Sequence, residues 1–316
     1  MNFVPVRVFF EKDALEFERG RKMHEFFISK GIAVKFLESH NRVTGIPGKT
    51  PQESYAEGKK TLVVGVRKTL DFSPCKPSAH YQLPLATSCA GKCEYCYLNT
   101  QLGSKPYLRV YVNIQEILDK AKKYIEERNE LTLFEASATS DPIPVEPYTG
   151  ALRDAIDFFG NQPLGKLRFV TKFTEVDDLL NLDHKGNTTV RFSVNTDRII
   201  KKYEHQTPIL DKRLEAAAKI YNSNYPLGFI IAPIFIYEGW QKDYEEMLFK
   251  IKSELGDQKK GNLSFEVISH RFTKRAKESI LKVFPKSDLP MDEEERKFKF
   301  GYNRYCCAHV DNQDAT

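Results

Sequence analysis

Three cysteines in one short loop are the residues of this sequence whose types and spacing most clearly suggest chemistry. Cys89, Cys93 and Cys96 stand in the run CAGKCEYC, which has the spacing CxxxCxxC. Thiolates are the soft ligands that iron–sulfur clusters need, and three of them at this spacing can bind three corners of one [4Fe–4S] cube. Gly91 suits the loop because the chain must turn tightly around the cube. The sequence therefore predicts a cluster in which one iron has no protein ligand.

An iron without a protein ligand can bind a substrate or cosubstrate, as the open position of a catalytic zinc ion does. S-adenosylmethionine can fill that position through its amino and carboxylate groups, and one electron from the cluster then yields a 5′-deoxyadenosyl radical. The alternatives are a zinc site or three buried cysteines. Zinc sites favour CxxC pairs and four ligands, and the nearest histidine, His80, precedes the strand that leads into the loop.

Short apolar runs separated by amphipathic helices predict a parallel α/β fold around this loop. Three strands, VRVFF, IAVKFL and TLVVGV, are predicted in the first part of the chain. Six more are predicted in the second part: LPLAT, LTLFEA, KLRFVTK, TTVRFSV, LGFIIAPIF and LSFEVIS. YLRVYV is an additional candidate strand in a connection. Six βα units are too few for an eight-stranded barrel, so we predict a partial (β/α)6 barrel of the TIM type.

The chain is predicted to have three parts. We expect an N-terminal α/β segment at 1–80, a partial barrel at 81–284 and a C-terminal segment at 285–316 that approaches the substrate. The run DFSPCKPSAHY is rich in Pro and Ser and is predicted to be a linker, with Cys75 as an incidental loop thiol.

Polar residues follow the apolar runs of the second part. In barrels of parallel strands the chemistry lies at the C-terminal ends of the strands. The polar residues at these ends are Ser88, Cys89, Ser140, Asp141, Lys172, Ser193, Asn195, His270 and Arg271. We expect them to surround one mouth of the barrel.

The composition excludes several classes of protein. Of the 316 residues, 41% are hydrophobic and 29% are charged, which is typical of globular proteins and not of disordered chains. No stretch approaches about 18 consecutive apolar residues, so we expect no membrane partner. The N-terminus lacks the pattern of a signal peptide, which predicts a cytoplasmic protein. A net charge of +5 excludes binding to DNA by bulk charge alone but permits a local basic groove.

Beyond the cysteine loop, longer strings of the sequence resemble the spore photoproduct lyase family of radical SAM enzymes. The resemblance extends from about residue 3 to residue 305. The strings that carry it are SHNRVTGIPGKT, TLVVGVRKTLDF, CEYCYLNTQLGSKPYLRVYVN, FEASATSD, GKLRFVTKF, PLGFIIAPIFIYEGW and FEVISHRFTKRAK.

The resemblance implies direct reversal of 5-thyminyl-5,6-dihydrothymine, the spore photoproduct, in DNA. The deoxyadenosyl radical would take a hydrogen from carbon 6 of the lesion, the methylene bridge would break, and the remaining thymine radical would have to regain a hydrogen. The cluster ligands would be Cys89, Cys93 and Cys96, and Tyr95 and Tyr97 would lie near the radical path. The positions that would contact S-adenosylmethionine are Ser140, Lys172, Ser193 and Ala232.

One position departs from the family pattern. The family has a cysteine in the segment that aligns with FEASATSD, and its thiol returns the hydrogen; here that residue is Ala138. An alanine methyl has strong C–H bonds and cannot replace a thiol. The residue is either an introduced Cys→Ala change, or a natural feature of a homologue with another donor, or a sign of another substrate. Our hypothesis is that Cys306 or Cys307 supplies the hydrogen, the alternative being that both are incidental thiols.

A lesion inside a duplex must be flipped out before a buried radical can reach it, and this requires a basic rim. The resemblance places Tyr302, Arg304 and Tyr305 near DNA. His270 and Arg271 begin a basic cluster after the sixth strand, for which the alternative is a solvated helix face. The implied partners are DNA that contains spore photoproduct and an electron donor such as flavodoxin or ferredoxin, in the cytoplasm of the spore core or germinating cell.

Two other functions stay open at this point. One is a divergent radical SAM enzyme that acts on another nucleotide or small substrate, which Ala138 favours. The other is a non-catalytic iron–sulfur or zinc protein that binds damaged DNA.

Overall fold

A computed structural model of the protein describes residues 3–40, 42–256, 263–299 and 304–307. The strands in this part are β1 (Arg7–Glu11), β2 (Ala33–Leu37), β3 (Thr61–Gly65), β4 (Pro74–Cys75), β5 (Ala79–Leu83), β6 (Ala86–Thr87), β7 (Lys92–Cys93), β8 (Leu108–Tyr111), β9 (Thr132–Ala136), β10 (Gly165–Thr171), β11 (Thr188–Val194), β12 (Glu204–His205), β13 (Leu227–Ile234), β14 (Leu263–Ser269), β15 (Arg296–Lys299) and β16 (Arg304–Cys307). The helices are α1 (Glu18–Ser29), α2 (Pro51–Gly58), α3 (Leu98–Gln101), α4 (Ile114–Arg128), α5 (Glu146–Thr149), α6 (Ala151–Gly160), α7 (Asp197–Tyr203), α8 (Leu210–Asn222), α9 (Trp240–Leu255) and α10 (Lys274–Val283).

Six parallel strands form the larger sheet, which curls into a half-barrel. Their order is β14–β13–β11–β10–β9–β5, and the short strand β4 pairs antiparallel with β5 at one edge. Helices α6, α8 and α9 connect successive strands of this sheet, as parallel pairing requires. The predicted partial (β/α)6 barrel is confirmed.

Side-chain alternation gives the half-barrel an apolar outer face and a polar inner face. On β10, Leu167 and Phe169 are fully buried in the hydrophobic core, whereas Arg168 lies on the opposite face. Successive residues of a strand point to opposite sides, so the residues in register with Arg168 line the inside. The inner face is therefore a polar space enclosed by an apolar wall.

Charged side chains pair with one another across this inner face. Arg168 Nε lies 2.9 Å from Glu135 Oε2, and Arg191 Nη1 lies 2.6 Å from Glu266 Oε1. Arg191 also pairs with Glu135, so strands β9, β10, β11 and β14 are linked by one ion network. A buried charge is tolerated when it is paired, and this network keeps the inside of the barrel polar.

The smaller sheet is N-terminal, with the order β2–β1–β3–β8–β6. Strands β6 and β8 follow residue 80 in the chain yet belong to this sheet, so the two sheets interleave along the sequence. One hydrophobic cluster runs through both sheets, from Val8 and Phe10 to Phe134 and Phe169. The boundaries proposed near residues 80 and 284 remain predictions.

The first barrel strand differs from the predicted one. The sequence predicts LPLAT as that strand and DFSPCKPSAHY as a linker, but β5 consists of AHYQL and the preceding residues form β4. On the outer face of β5, Leu83 is buried and Tyr81 is half-buried, and alternation places polar His80 and Gln82 on the inner face, so the strand lacks a continuous apolar run. Ala86 and Thr87 pair instead with β8.

The long helices follow the predicted periodicity. Helix α4 buries Ile117, Leu118, Ala121 and Ile125 on one face. It ends at Arg128, and the capping residue Asn129 has a left-handed backbone with φ of 47°. None of the helices in the described residues combines the length and the apolar character needed to cross a membrane.

Candidate active site

The cysteine loop lies between β6 and α3. Cys89, Cys93 and Cys96 are not joined in disulfides within the described residues, and Cys93 is 7% exposed. The Gly91 amide donates a hydrogen bond to Cys89 Sγ at 3.3 Å. Lys59, which follows α2, donates from Nζ to the Cys89 carbonyl at 2.8 Å. The loop is thus folded around its own sulfur atoms and supported by the N-terminal part of the chain.

The Gly91 position leaves no room for a side chain. A Cβ atom there would lie 2.9 Å from Cγ2 of Thr207 and 3.6 Å from Cys89 Sγ. The first distance is shorter than real Cβ contacts. The glycine therefore lets the loop pack directly against the segment after β12.

A two-stranded ladder ties the cysteine loop to the segment after α7. Strands β7 and β12 are antiparallel, with Cys93 opposite Glu204. The Glu94 amide donates to the Tyr203 carbonyl at 2.9 Å, and Glu94 Oε1 lies 2.7 Å from His205 Nε2. The position of the second cysteine is therefore set by backbone bonds to a segment more than 100 residues away in the chain.

Glu204 joins this ladder to the polar residues inside the barrel. Its side chain is fully buried, and Oε2 accepts a hydrogen bond of 2.6 Å from Arg213 Nη2. Its other oxygen lies 3.2 Å from Lys172 Nζ and also accepts the Tyr95 hydroxyl. Lys172 Nζ donates further to Ser193 Oγ at 2.7 Å. Lys172, Ser193 and Tyr95, all predicted site residues, thus meet around one carboxylate.

The charge state of Glu204 follows from these neighbours. Burial alone would raise the pKa of its carboxyl, but the ammonium of Lys172 and the guanidinium of Arg213 outweigh burial and lower the pKa to about 2. The carboxylate is thus ionised at neutral pH. Burial and the nearby carboxylate raise the pKa of Tyr95 well above its usual value, so the phenol keeps its proton.

Asp141 fixes the end of β10 from the neighbouring strand. Its Oδ2 accepts the Lys172 amide at 2.8 Å and the Thr171 hydroxyl at 3.0 Å. Burial raises the pKa of this carboxyl to about 6, against the opposing effect of these hydrogen bonds. Asp141 thus orients the backbone from which Lys172 projects.

Thr139 and Ser140, which follow β9, are hydrogen-bonded to Ser88, the residue that precedes the cysteine loop. Ser88 and Ser137 both have left-handed backbones, with φ of 66° and 52°, a conformation that is strained for residues other than glycine. The Ser88 amide donates to the Thr139 carbonyl at 2.9 Å, and the Ser140 hydroxyl donates to the Ser88 carbonyl. These bonds bring Ser140 to the cysteine loop.

Tyr97, which follows the cysteine loop, and Ala138 lie together. The Tyr97 hydroxyl donates to the Ala138 carbonyl at 2.7 Å. Ala138 is half-buried, as is Ala232 near the end of β13. Tyr97 is 54% exposed, yet desolvation and the nearby thiols raise its pKa, so this phenol also keeps its proton.

His270 and Arg271, which are both predicted to contact DNA, differ in their exposure. His270 is only 3% exposed and packs against Phe235, with ring centroids 4.7 Å apart. Burial lowers its pKa to about 3, so it is neutral near pH 7 and lacks the charge and exposure that a phosphate contact needs. Arg271 is exposed.

Only some of the C-terminal residues predicted to contact DNA belong to the described part of the chain. Strands β15 and β16 pair antiparallel, with Lys299 opposite Arg304. Tyr302 lies outside the described residues. The side chains of Arg304, Tyr305, Cys306 and Cys307 also lie outside them.

The three cysteines of the loop have the donor chemistry that an iron–sulfur cube needs. In the part of the chain described, no three His, Cys, Asp or Glu side chains converge to hold one ion. Thiolates of a cube bind three different iron atoms, so they need not converge on one point. Burial raises the pKa of the Cys89 thiol to about 12, and a bound metal reverses such a preference by deprotonating the thiol.

Sequence reasoning missed two residues of this site. Glu204 looks like a surface charge in the run KKYEHQT, and Arg213 looks like a surface charge of an amphipathic helix. Their ion pair becomes visible only in the folded structure. Cys75 lies on β4 of the barrel sheet and not in a linker, because the Pro-rich run around it pairs with β5.

Comparisons with known proteins agree with this geometry. The sequence model of a family described as spore photoproduct lyase matches residues 3–315. The spore photoproduct lyase of Clostridium acetobutylicum is 52% identical over 312 residues, which are 98% of this chain and 92% of the relative. That of Bacillus subtilis is 51% identical over 300 residues, 95% of this chain and 88% of the relative.

Two solved structures are similar over nearly the whole chain. A spore photoproduct lyase complexed with dinucleoside spore photoproduct has a TM-score of 0.94 at 46% identity, covering 98% of this chain and 92% of that one. A mutant with bound AdoMet and dinucleoside spore photoproduct also has a TM-score of 0.94, at 47% identity, covering 97% and 92%. In that mutant a cysteine is replaced by alanine and a serine by cysteine.

Adding a methyl group at Gly91 should destabilise the protein. We expect Gly91→Ala to lower the free energy of unfolding by about 1–3 kcal/mol, because Cβ would collide with Thr207 Cγ2. Thr207→Ser removes that methyl and keeps the hydroxyl, so the double variant should recover most of the loss in urea denaturation. Purely additive effects of the two changes would contradict the packing account.

Removing the charge of Glu204 should destabilise the protein much more than removing an exposed charge. Glu204→Gln leaves Lys172 and Arg213 without their counter-charge, and we expect a loss of about 3–5 kcal/mol at pH 7. The matched control is Glu215→Gln, which breaks an exposed pair with Lys212 and should cost at most about 1 kcal/mol.

The effect of Glu204 should depend on pH in one direction. Its folded pKa of about 2 lies below the reference value of 4.5, so its stabilisation is complete above pH 4.5 and is lost as the pH falls toward 2. The difference between the wild type and Glu204→Gln should therefore be constant from neutral pH down to about 4.5 and shrink below it. A difference no larger than that of the control would refute the role of Glu204.

Proposed function

The chain belongs to the spore photoproduct lyase family, and we propose that it reverses 5-thyminyl-5,6-dihydrothymine in DNA to two thymines. The observation that carries this proposal is the identity of about half of all residues with curated spore photoproduct lyases over nearly the whole chain. The second support is a cysteine loop at the mouth of a half-barrel, with an ammonium and two phenols beside it.

We assign the cluster to Cys89, Cys93 and Cys96, one thiolate for each of three irons of a [4Fe–4S] cube. The support is that all three cysteines belong to one loop, which contains a glycine that packs without a side chain. When bound, the reduced cluster and S-adenosylmethionine supply the 5′-deoxyadenosyl radical that removes a hydrogen atom from the lesion. A protein such as flavodoxin or ferredoxin would deliver the electron.

Lys172 would receive the carboxylate of S-adenosylmethionine. Its ammonium is held by Glu204 and Ser193 and its backbone by Asp141, so it is oriented before a ligand arrives. Glu204 also offsets one of the two nearby positive charges. The site can therefore accept one carboxylate without leaving a cation unpaired.

Three further residues would complete the contacts to S-adenosylmethionine. The hydroxyls of Ser140 and Ser193 can bond its polar atoms, and both are held in place, by the Ser88 carbonyl and by Lys172. Ala232 would leave space for the ligand at the end of β13, because its side chain is small.

The lesion would lie on the inner face of the half-barrel, next to Tyr95 and Tyr97. Both phenols stay protonated at neutral pH, so each carries an O–H hydrogen beside the reaction space. The DNA around the lesion would contact Arg271, Tyr302, Arg304 and Tyr305. We propose that the enzyme acts in the cytoplasm, where its DNA substrate lies.

Anaerobic reconstitution tests the proposed function directly. With iron and sulfide, the wild type should turn brown and hold about four irons per chain. With reductant and S-adenosylmethionine it should convert dinucleoside spore photoproduct to thymine. Cys96→Ser removes one cluster ligand and should abolish both cleavage of S-adenosylmethionine and repair.

Two results would count against this assignment. Colourless protein that binds zinc would favour a binding module without catalysis. Cleavage of S-adenosylmethionine by wild-type protein with no conversion of the lesion would show that the substrate is a different one.

A further inference from the structure

A cavity of about 280 Å³ lies beside the carboxyl ends of parallel strands in the smaller sheet. Arg67, Lys68 and Thr69 line it and directly follow β3. His40, which comes soon after β2, lines it as well. Strand β1 has β2 on one side and β3 on the other, so the strand order reverses there. Ligands of open parallel sheets bind in the crevice outside the carboxyl ends at such a reversal.

The cations of this cavity outnumber their carboxylate partners. Arg109 forms an ion pair with Glu11, and Lys68 forms one with Asp13. Arg67, the third cation, has no carboxylate partner within the described residues. The cavity therefore has one positive charge without a counter-charge, and its complementary ligand is an anion.

Arg67 is held in a fixed position. The Asn113 side chain accepts the Arg67 amide at 2.8 Å and donates to the Arg67 carbonyl at 3.0 Å. The guanidinium lies over the ring of Tyr111, 5.6 Å from its centroid. Its Nε atom is buried and, among the residues that the structure describes, has no hydrogen-bond partner. A buried N–H group without an acceptor is costly, so this nitrogen favours a ligand that brings an oxygen to it.

A second guanidinium and several hydroxyls line the same cavity. Arg109 is 9% exposed, and its guanidinium lies 5.7 Å from the centroid of the Tyr107 ring. Thr69 and Thr87 add hydroxyl groups that can donate hydrogen bonds. Guanidinium groups match the geometry of phosphate oxygens and bind them by paired hydrogen bonds. The donors of the cavity thus fit the several oxygens of a phosphate group.

The size of the cavity favours a ligand that is larger than a phosphate ion. Its volume of about 280 Å³ is close to the lower end of the range of small-molecule sites, which is about 300–1,000 Å³. Leu102 and the ring of Tyr107 give its wall an apolar part. A phosphate that carries a sugar fits both the volume and this mixed lining.

We propose that this cavity is a second ligand site of the protein and binds the phosphate ester of a nucleotide. In this assignment Arg67 donates to a phosphate oxygen from Nε, and Arg109 and Lys68 contribute further positive charge. The nucleotide is either a free molecule or part of a DNA strand, since the phosphate chemistry of the two is the same.

The site lies next to the cysteine loop but outside the half-barrel. Its wall includes Thr87, two residues before Cys89, and Leu102, which directly follows α3. A bound nucleotide would therefore contact the chain on both sides of the loop. The inference goes beyond the proposed function and does not depend on it, because its tests need neither a cluster nor a lesion.

Calorimetric titration of the whole chain with thymidine 5′-monophosphate tests the site. We expect the wild type to bind this nucleotide and Arg67→Gln to bind it about 10- to 100-fold more weakly, which is the loss expected for a charge-assisted hydrogen bond. Thymidine has no phosphate and should distinguish the two proteins much less. The matched control is Arg153→Gln, at an exposed arginine of α6 that lines a different cavity, and it should bind as the wild type does.

Thermal denaturation separates a ligand site from a purely structural arginine. Because the charge of Arg67 has no counter-charge, Arg67→Gln should change the Tm of the ligand-free protein little, while the increase in Tm caused by thymidine 5′-monophosphate should be lost. Arg67→Lys keeps the charge without the planar fork and should keep part of that increase. A lower Tm for Arg67→Gln with the full nucleotide-dependent increase would overturn the proposal.

Hydrogen–deuterium exchange locates the bound nucleotide. At saturating thymidine 5′-monophosphate, the amides of residues 66–69 should exchange more slowly in the wild type, and this protection should be absent in Arg67→Gln. Protection confined to the half-barrel would place the nucleotide in the reaction space and would overturn the second site.

Duplex DNA distinguishes the two sources of the phosphate. If the phosphate belongs to DNA, Arg67→Gln should reduce the slope of log K against log salt concentration by about 1, the effect of one lost phosphate contact. If the ligand is a free nucleotide, that slope should stay unchanged and only the response to thymidine 5′-monophosphate should be lost. Binding of both ligands that is independent of Arg67 would refute the site. Failure to repair the lesion would contradict the proposed function alone.

Discussion

The site depends on one buried carboxylate. Glu204 has no exposed side-chain surface, and it carries ion pairs to Lys172 and Arg213 while its own backbone pairs with Cys93. Moving an ionised carboxylate out of water costs several kcal/mol, so it is stable there only while both cations and the Tyr95 hydroxyl remain in place. The same interactions that satisfy Glu204 therefore hold the cysteine loop against the residues proposed to bind S-adenosylmethionine.

The half-barrel supplies the surroundings for this arrangement. Its outer face is buried by helices and its inner face is kept polar by the network of Glu135, Arg168, Arg191 and Glu266. A ligand on the inner face meets fixed charges that need no reorganisation when it binds.

The sequence alone reveals what is local and misses what is long-range. The cysteine spacing and the apolar runs of β9, β10 and β11 are read from neighbouring residues, and the fold class they predict is confirmed. Strand β5 escapes prediction because its inner face is polar, and β4 because Pro and Ser surround it. The pairing of Glu204 with Lys172 and Arg213 joins three separate elements, so no local pattern encodes it. His270 looks like part of a basic cluster in the sequence, and only packing against Phe235 makes it a buried neutral residue.

The central claim is that three thiolates of one loop hold a cube whose fourth iron binds S-adenosylmethionine beside Lys172. Electron paramagnetic resonance of the reduced, reconstituted protein tests it most directly, because the signal of the cluster responds to ligands on its iron. We predict that adding S-adenosylmethionine shifts the g values of the wild-type cluster, and that Lys172→Met weakens this response. A spectrum that stays unchanged at saturating S-adenosylmethionine would contradict an open iron and, with it, the radical chemistry proposed for this protein.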